Sequence, residues 1–235
     1  ELNYNVFKNI SKNIEVNVFA NATMPQNKVI EIDEGLKNNN GQWEYSTTRI
    51  IEEGKSLYNM WLVHYAGVDE NGVALYTARQ NVKDENGNDI QIGTGYLGEP
   101  IYKTTNFTTA RNTNRKETGN IMPKVYGGFG ADVKAYGVDF SIQFAYQAGG
   151  KIFDSSYQGF MDPGSTSYLG HTWHKDIAKA WSPTNTATDV PRMANEGLAS
   201  QYANATSDRF LISSNYLSLN NITLGYTFPK AWTSK

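Results

Sequence analysis

A chain of 235 residues with 21 basic and 23 acidic side chains, a formal net charge of −2 and no cysteine excludes a disulfide framework, a thiolate metal site and a cysteine nucleophile. Its scattered basic residues offer no nucleic-acid surface. Hydrophobic residues make up 39%, below the ~45–50% of ordinary globular domains, so a conventional core is not expected. Rings are abundant, with 15 tyrosines, and so are glycines, at 21. Together with a mean hydropathy of −0.54, this disfavours helix bundles and points to all-β structure with long polar loops. No run approaches the ~18–20 apolar residues of a transmembrane helix, a test that a barrel escapes because its strands hide apolar residues in alternation.

The first predicted pair lies at the N-terminus. Leu2, Tyr4 and Val6 alternate with polar residues, Ile14, Val16, Val18, Ala20 and Ala22 do the same, and Lys8 to Asn13 is a short polar connection. From Thr23 to about Asn120 the chain is polar and broken by turn signals such as Asp69-Glu-Asn-Gly72 and Asp84-Glu-Asn-Gly87. Within it, Leu57 to Tyr65 and Val73 to Ala78 read as a hairpin.

The strongest pattern follows. Val125, Gly127, Phe129, Ala131, Val133 and Ala135 hold the odd positions, then Val138, Phe140, Ile142, Phe144, Tyr146 and Ala148 the even ones, with the parity switch at Tyr136-Gly137. A two-residue turn there sets Ala135 opposite Val138, Val133 opposite Phe140 and Phe129 opposite Phe144, so that one face is oily. A four-residue turn keeps the same parity, and tyrosine disfavours the positive φ of the tighter turn. The other face receives Lys134 opposite Asp139, Asp132 opposite Ser141 and Gly130 opposite Gln143. Strands of about 11 residues exceed the ~5–6 usual in soluble proteins and match a tilted membrane strand. The expectation is that Phe129, Val133, Phe140 and Phe144 face lipid while Asp132, Lys134, Asp139 and Gln143 face a lumen, with Tyr136 in an aromatic girdle.

A second polar stretch runs from Gly149 to about Ser207, with one or two helical turns expected at His174 to Trp181. Ile222, Leu224, Tyr226 and Phe228 then alternate with Asn221, Thr223, Gly225 and Thr227 until Pro229 ends the strand. Leu217 and Leu219 have the opposite parity, which predicts a bulge near Asn220. Short turns at one end and long loops at the other are the asymmetry of outer-membrane barrels.

Pro123-Lys-Val-Tyr-Gly-Gly-Phe129, the hairpin and Gly149-Gly-Lys-Ile-Phe-Asp154 resemble the corresponding hairpin of SusC/RagA outer-membrane proteins. So do His174-Lys-Asp-Ile177, Trp181-Ser-Pro-Thr-Asn185 and Asp189-Val-Pro-Arg192. Ser207-Asp-Arg-Phe-Leu211 and Tyr216 to Pro229 are similar to a strand these proteins carry near their C-termini. The matches occur in the family's order. The resemblance implies the C-terminal strands of a transmembrane antiparallel β-barrel of about 22 strands with long extracellular loops, in a bacterial outer membrane. It also implies an N-terminal plug, a periplasmic segment that engages TonB, a SusD-like surface lipoprotein as lid, and oligosaccharide or peptide substrates. Residues 1–235 are then expected to be a C-terminal portion of a TonB-dependent receptor barrel, cut at both ends, with plug and final strands elsewhere, since an open edge in lipid costs several kcal/mol per unsatisfied backbone group.

Other chemistry is weaker. His171 and His174 have no evident third metal ligand, and no cofactor is expected. Asp84 to Asp89 has the oxygens of a calcium loop but Gly95 where an EF-hand has glutamate, so it reads as a solvated turn. Asn9, Asn21, Asn106, Asn204 and Asn221 begin glycosylation sequons that an Asn-rich chain produces by chance. Gly127-Gly-Phe-Gly130 sits in a strand with no helix after it, so its glycines serve close backbone approach or strong twist rather than a phosphate. Asp176 and Trp181 suit a partner or a sugar, and a structural Trp suits the same position. No catalytic set and no substrate residue emerges. The expected function is a non-enzymatic SusC-like importer; the alternative is a secreted soluble β-protein that binds glycans.

Overall fold

Alternation of period two becomes a five-stranded antiparallel sheet in the computed structural model, which describes residues 1–78, 85–86, 93–94, 100–101, 103–105, 110–111, 115–162, 172–194, 202–229 and 232. The chain forms two compact units, one of Glu1–Asn27, Ile121–Lys151 and Ser213–Lys235, the other of Lys28–Asn120 and Ile152–Ile212.

The first unit is the sheet. Its strands are β1 (Leu2–Ser11), β2 (Ile14–Thr23), β3 (Val125–Ala135), β4 (Val138–Ala148) and β5 (Tyr216–Tyr226), each hydrogen-bonded to the next in chain order. Such a meander is the topology of up-and-down barrels. Strand lengths of 10 or 11 residues fit the ~9–11 of a tilted membrane strand.

The β3–β4 register is the expected one, from Ala135 opposite Val138 to Val125 opposite Ala148. Tyr136 and Gly137 both have positive φ, 52° and 86°, as a two-residue I′ turn requires. The bulge near Asn220 is present too: Gln143 pairs with Asn221 and Phe144 with Leu219, skipping Asn220. That one extra residue restores Leu217 and Leu219 to the apolar face.

Across all five strands the apolar residues align in rows. One row is Tyr4, Ala20, Phe129, Phe144 and Leu219; the next is Val6, Val18, Ala131, Ile142 and Ile222. Every buried hydrophobic side chain among the described residues lies in the other unit, and no described side chain on this oily face is fully buried.

One boundary differs from expectation. Lys8 to Asn13 is not a loop: β1 continues to Ser11, with Lys8 opposite Val16 and Asn9 opposite Glu15, and only Lys12-Asn13 turns. A bulge between Asn9 and Ser11 breaks the period, and Phe7 falls on the polar face, so the apolar pattern ends before the strand does.

The second unit contradicts the expectation that no conventional core would form. Val63, Ala74, Tyr76, Ala110, Tyr202 and Ala205 form one cluster, and Met161, Val190 and Phe210 another, flanked by Phe153, Tyr157 and Ile177. Low overall hydrophobicity averages a sheet that needs alternate polar residues with a loop unit that buries small and aromatic ones.

The strand pairing here also differs. Asn59–Leu62 pairs with Lys116–Asn120, whereas Tyr65–Val68 pairs with Ala74–Ala78, which in turn pairs with Lys103–Thr105. The tight turn decides it. Asp69 accepts hydrogen bonds from the backbone N–H groups of Asn71 and Val73, at 2.9 and 2.8 Å, and so reverses the chain immediately after Val68. Helix α1 (Ser155–Phe160) is capped by Asp154, and a 3-10 turn, Lys175–Lys179, occupies the place where helical turns were expected.

Candidate functional site

The polar face of the sheet is built by the same register. Phe7, Asn17, Asp132, Ser141 and Thr223 form one row; Asn9, Glu15, Lys134, Asp139 and Gly225 form the next. Asp132 accepts hydrogen bonds from Asn17 Nδ2 at 3.0 Å and Ser141 Oγ at 2.7 Å, which ties three strands together. Lys134 stands between Glu15 and Asp139 in register, and Asp139 also accepts from Thr227 Oγ1 at 3.4 Å. A groove of about 330 Å³ runs over these residues with Phe7 at its side. The surface presents carboxylates, amides, hydroxyls and one lysine, suited to water and polar solutes.

The glycines of Gly127-Gly-Phe-Gly130 serve close approach. A Cβ on Gly127 would stand 2.0 Å from the Asn21 carbonyl oxygen, and Gly128 N donates to Asn21 Oδ1 at 2.9 Å. Asn21, Asn9 and Asn221, three of the sequon asparagines, lie in β2, β1 and β5. Asn106 lies outside the described residues.

In the second unit, ion pairs organise turns. Asp208 accepts from His64 Nδ1 at 2.6 Å and from Tyr65 N at 2.8 Å, joining residues about 144 positions apart. Arg209 lies over the Tyr65 ring, and burial pushes the Tyr65 hydroxyl up to about 12 despite that cation. Asp176 is bonded to Lys179 Nζ at 2.7 Å and to the Tyr157 hydroxyl at 3.1 Å. The hydrogen bond from Lys179 lowers the proton affinity of Asp176 and, in turn, raises that of Lys179. Asp176 is thus engaged by its own turn and by α1.

Trp181 takes the structural role. Its ring lies against Gly72, where a Cβ would come within 2.6 Å, and its backbone N–H donates to Val190 O at 2.9 Å. His174 caps the 3-10 turn by accepting from Asp176 N at 3.2 Å, while His171 and most of the Asp84–Asp89 turn lie outside the described residues. Among the described residues no group of three His, Cys, Asp or Glu could hold a metal. Sequence reading missed the His64–Asp208 pair and the place of Phe7 on the polar face. The pair carries no local signal, since it joins distant segments, whereas Phe7 is placed by alternation with Leu2, Tyr4 and Val6.

No family model matches the chain. In sequence it is similar to TonB-dependent receptor P3 of Formosa agariphila, 26% identical over 220 residues, 92% of this chain and 20% of that protein. In fold it is similar to the RagAB peptide transporter, with a TM-score of 0.68 and 20% identity over 99% of this chain and 23% of that one. It is equally similar to the RagAB peptide importer in its closed-closed state, with a TM-score of 0.70, 20% identity and the same coverage. The chain therefore spans between a fifth and a quarter of the length of the proteins it matches. The SusC/RagA resemblance read from the sequence is borne out, and the fold is that of a section of an outer-membrane β-barrel.

Proposed function

We propose that this section of a SusC/RagA-type outer-membrane β-barrel contributes wall and loop structure to a TonB-dependent importer of peptides or oligosaccharides. The observation that carries the reading is the five-strand register, which gathers the alternating apolar side chains onto one face and most of the polar ones onto the other. In a bilayer the first face meets lipid and the second lines the lumen. Support comes from exposure: Leu2, Leu217 and Leu224 are 65%, 65% and 75% exposed on one continuous apolar face, far from the habit of soluble monomers. That pattern disfavours a soluble glycan-binding protein.

Residues 1–235 act as a C-terminal portion of the barrel wall, with plug and TonB-engaging segments supplied elsewhere in the full protein and a SusD-like lipoprotein as lid. The likeness to a peptide transporter favours peptides as one substrate class. No enzymatic step is assigned. The His64–Asp208 pair anchors backbone, because the second oxygen of Asp208 accepts from Tyr65 N.

Deletion of the gene for the full-length protein, followed by growth on peptides or on oligosaccharides as sole nutrient, tests the reading. Loss of growth on one class, restored by the intact gene and likewise lost when TonB is removed, is the expected result. Undiminished growth on both classes contradicts it.

A further inference from the structure

The loop unit holds two arginines around one small cavity. Arg115 has its side chain only 8% exposed, and its guanidinium has five N–H donors. Three go to backbone carbonyls: Nε to Trp61 O at 3.0 Å, and Nη2 to Ser46 O at 3.0 Å and Thr47 O at 2.9 Å. The remaining nitrogen, Nη1, has as its neighbour Glu44 Oε2 at 3.8 Å, beyond hydrogen-bond reach. Glu44 is itself 59% exposed, so water screens the pair.

Arg111 and Arg115 line a cavity of about 70 Å³ together with Thr47, Val63 and Thr206. Among the described residues Arg111 forms no ion pair. Burial and the nearby Arg111 cation both lower the proton affinity of Arg115, while Glu44 partly opposes them. Arg111 is exposed and Arg115 largely buried; like charges lining one cavity disfavour each other, and an anion between them relieves this. Thr206 Oγ1 accepts from Gln158 Nε2 at 3.5 Å, which leaves its own O–H free to donate.

We propose that Arg111 and Arg115, with the Thr206 hydroxyl beside them, form a binding site for the oxyanion end of a ligand, a carboxylate or a phosphate. A forked guanidinium is the side chain best matched to such groups. At about 70 Å³ the cavity admits a head group and no more, against the ~300 Å³ or larger of sites that enclose a whole small molecule. The rest of the ligand stays outside. This site stands on residues of the loop unit and does not depend on import.

Calorimetric titration of the full-length protein in detergent with acetate, inorganic phosphate, and tri-alanine bearing a free or an amidated C-terminus tests it. Binding of acetate and of the free acid, with none of the amide, supports the site and assigns it to carboxylates; binding of phosphate alone supports it and assigns it to phosphate. Arg111→Gln removes the exposed cation and leaves the three backbone contacts of Arg115 in place, and it is expected to weaken binding about tenfold or more. Failure of all four probes to bind, or an affinity that Arg111→Gln leaves unchanged, overturns the proposal.

Discussion

Phe19 and Gly130 face each other across β2 and β3, and the ring fills the space a side chain at Gly130 would need: a Cβ there would stand 2.5 Å from Phe19 Cζ and 2.5 Å from the Ile142 carbonyl oxygen. An aromatic ring on a strand glycine is a way to fill the polar face while the backbones stay close. Gly130→Val forces both neighbours aside and is expected to destabilise the barrel by about 1–3 kcal/mol. Heat-modifiability of the full-length protein on a denaturing gel reads this out as a lower unfolding temperature. An unchanged temperature contradicts the packing.

The Tyr136-Gly137 turn stores strain at the tyrosine. A non-glycine residue at φ 52° costs of order 1 kcal/mol or more, and least for Asn. Tyr136→Asn should therefore raise stability by several tenths of a kcal/mol or more. Gly137→Ala should lower it, because its Cβ would meet Thr227 O at 2.9 Å. Paired unfolding curves of the two variants check the signs.

Alkaline pH should unfold the loop unit. Burial raises the Tyr65 hydroxyl to about 12 and raises Tyr76 further in the same direction. For a group whose folded pKa lies above its unfolded value of about 10, the stabilisation is complete below pH ~10 and is lost as pH climbs through the folded value. Tyrosinate absorbance and circular dichroism should thus change together between about pH 10 and 12. Titration of all tyrosines near pH ~10 with the structure intact contradicts the burial.

Asp208→Ala should loosen the segment after Val63. The backbone N–H of Tyr65 and the ring of His64 both lose their acceptor, a loss of about 2–3 kcal/mol for half-buried donors to a charged group. Hydrogen exchange should show faster exchange at Tyr65 to Val68 and unchanged protection in β3 and β4.

The sheet was readable because a buried or lipid-covered face imposes a period of two, and two departures from it left a mark, whereas the bulge between Asn9 and Ser11 did not. The parity switch at Tyr136-Gly137 gave the turn, and the reversed parity of Leu217 and Leu219 gave the bulge at Asn220. The loop unit was not readable in the same way. Its short strands pair across long separations, such as Met60 with Gly119, and no repeating pattern announces them. Asp69 and Gly72 marked a turn, but the strands it joins became clear only with the Asp69 side-chain bonds. Likewise His64 and Asp208 are ordinary residues until the fold brings them together.

The central claim is that one face of this sheet meets lipid and the other water. Single spin labels at Phe140→Cys and Gln143→Cys in β4, in the full-length protein reconstituted into bilayers, test it most directly. The account predicts that the label at position 140 collides with oxygen dissolved in lipid and is shielded from an aqueous nickel complex, with the reverse at position 143. Equal access of both labels to the aqueous reagent would contradict it.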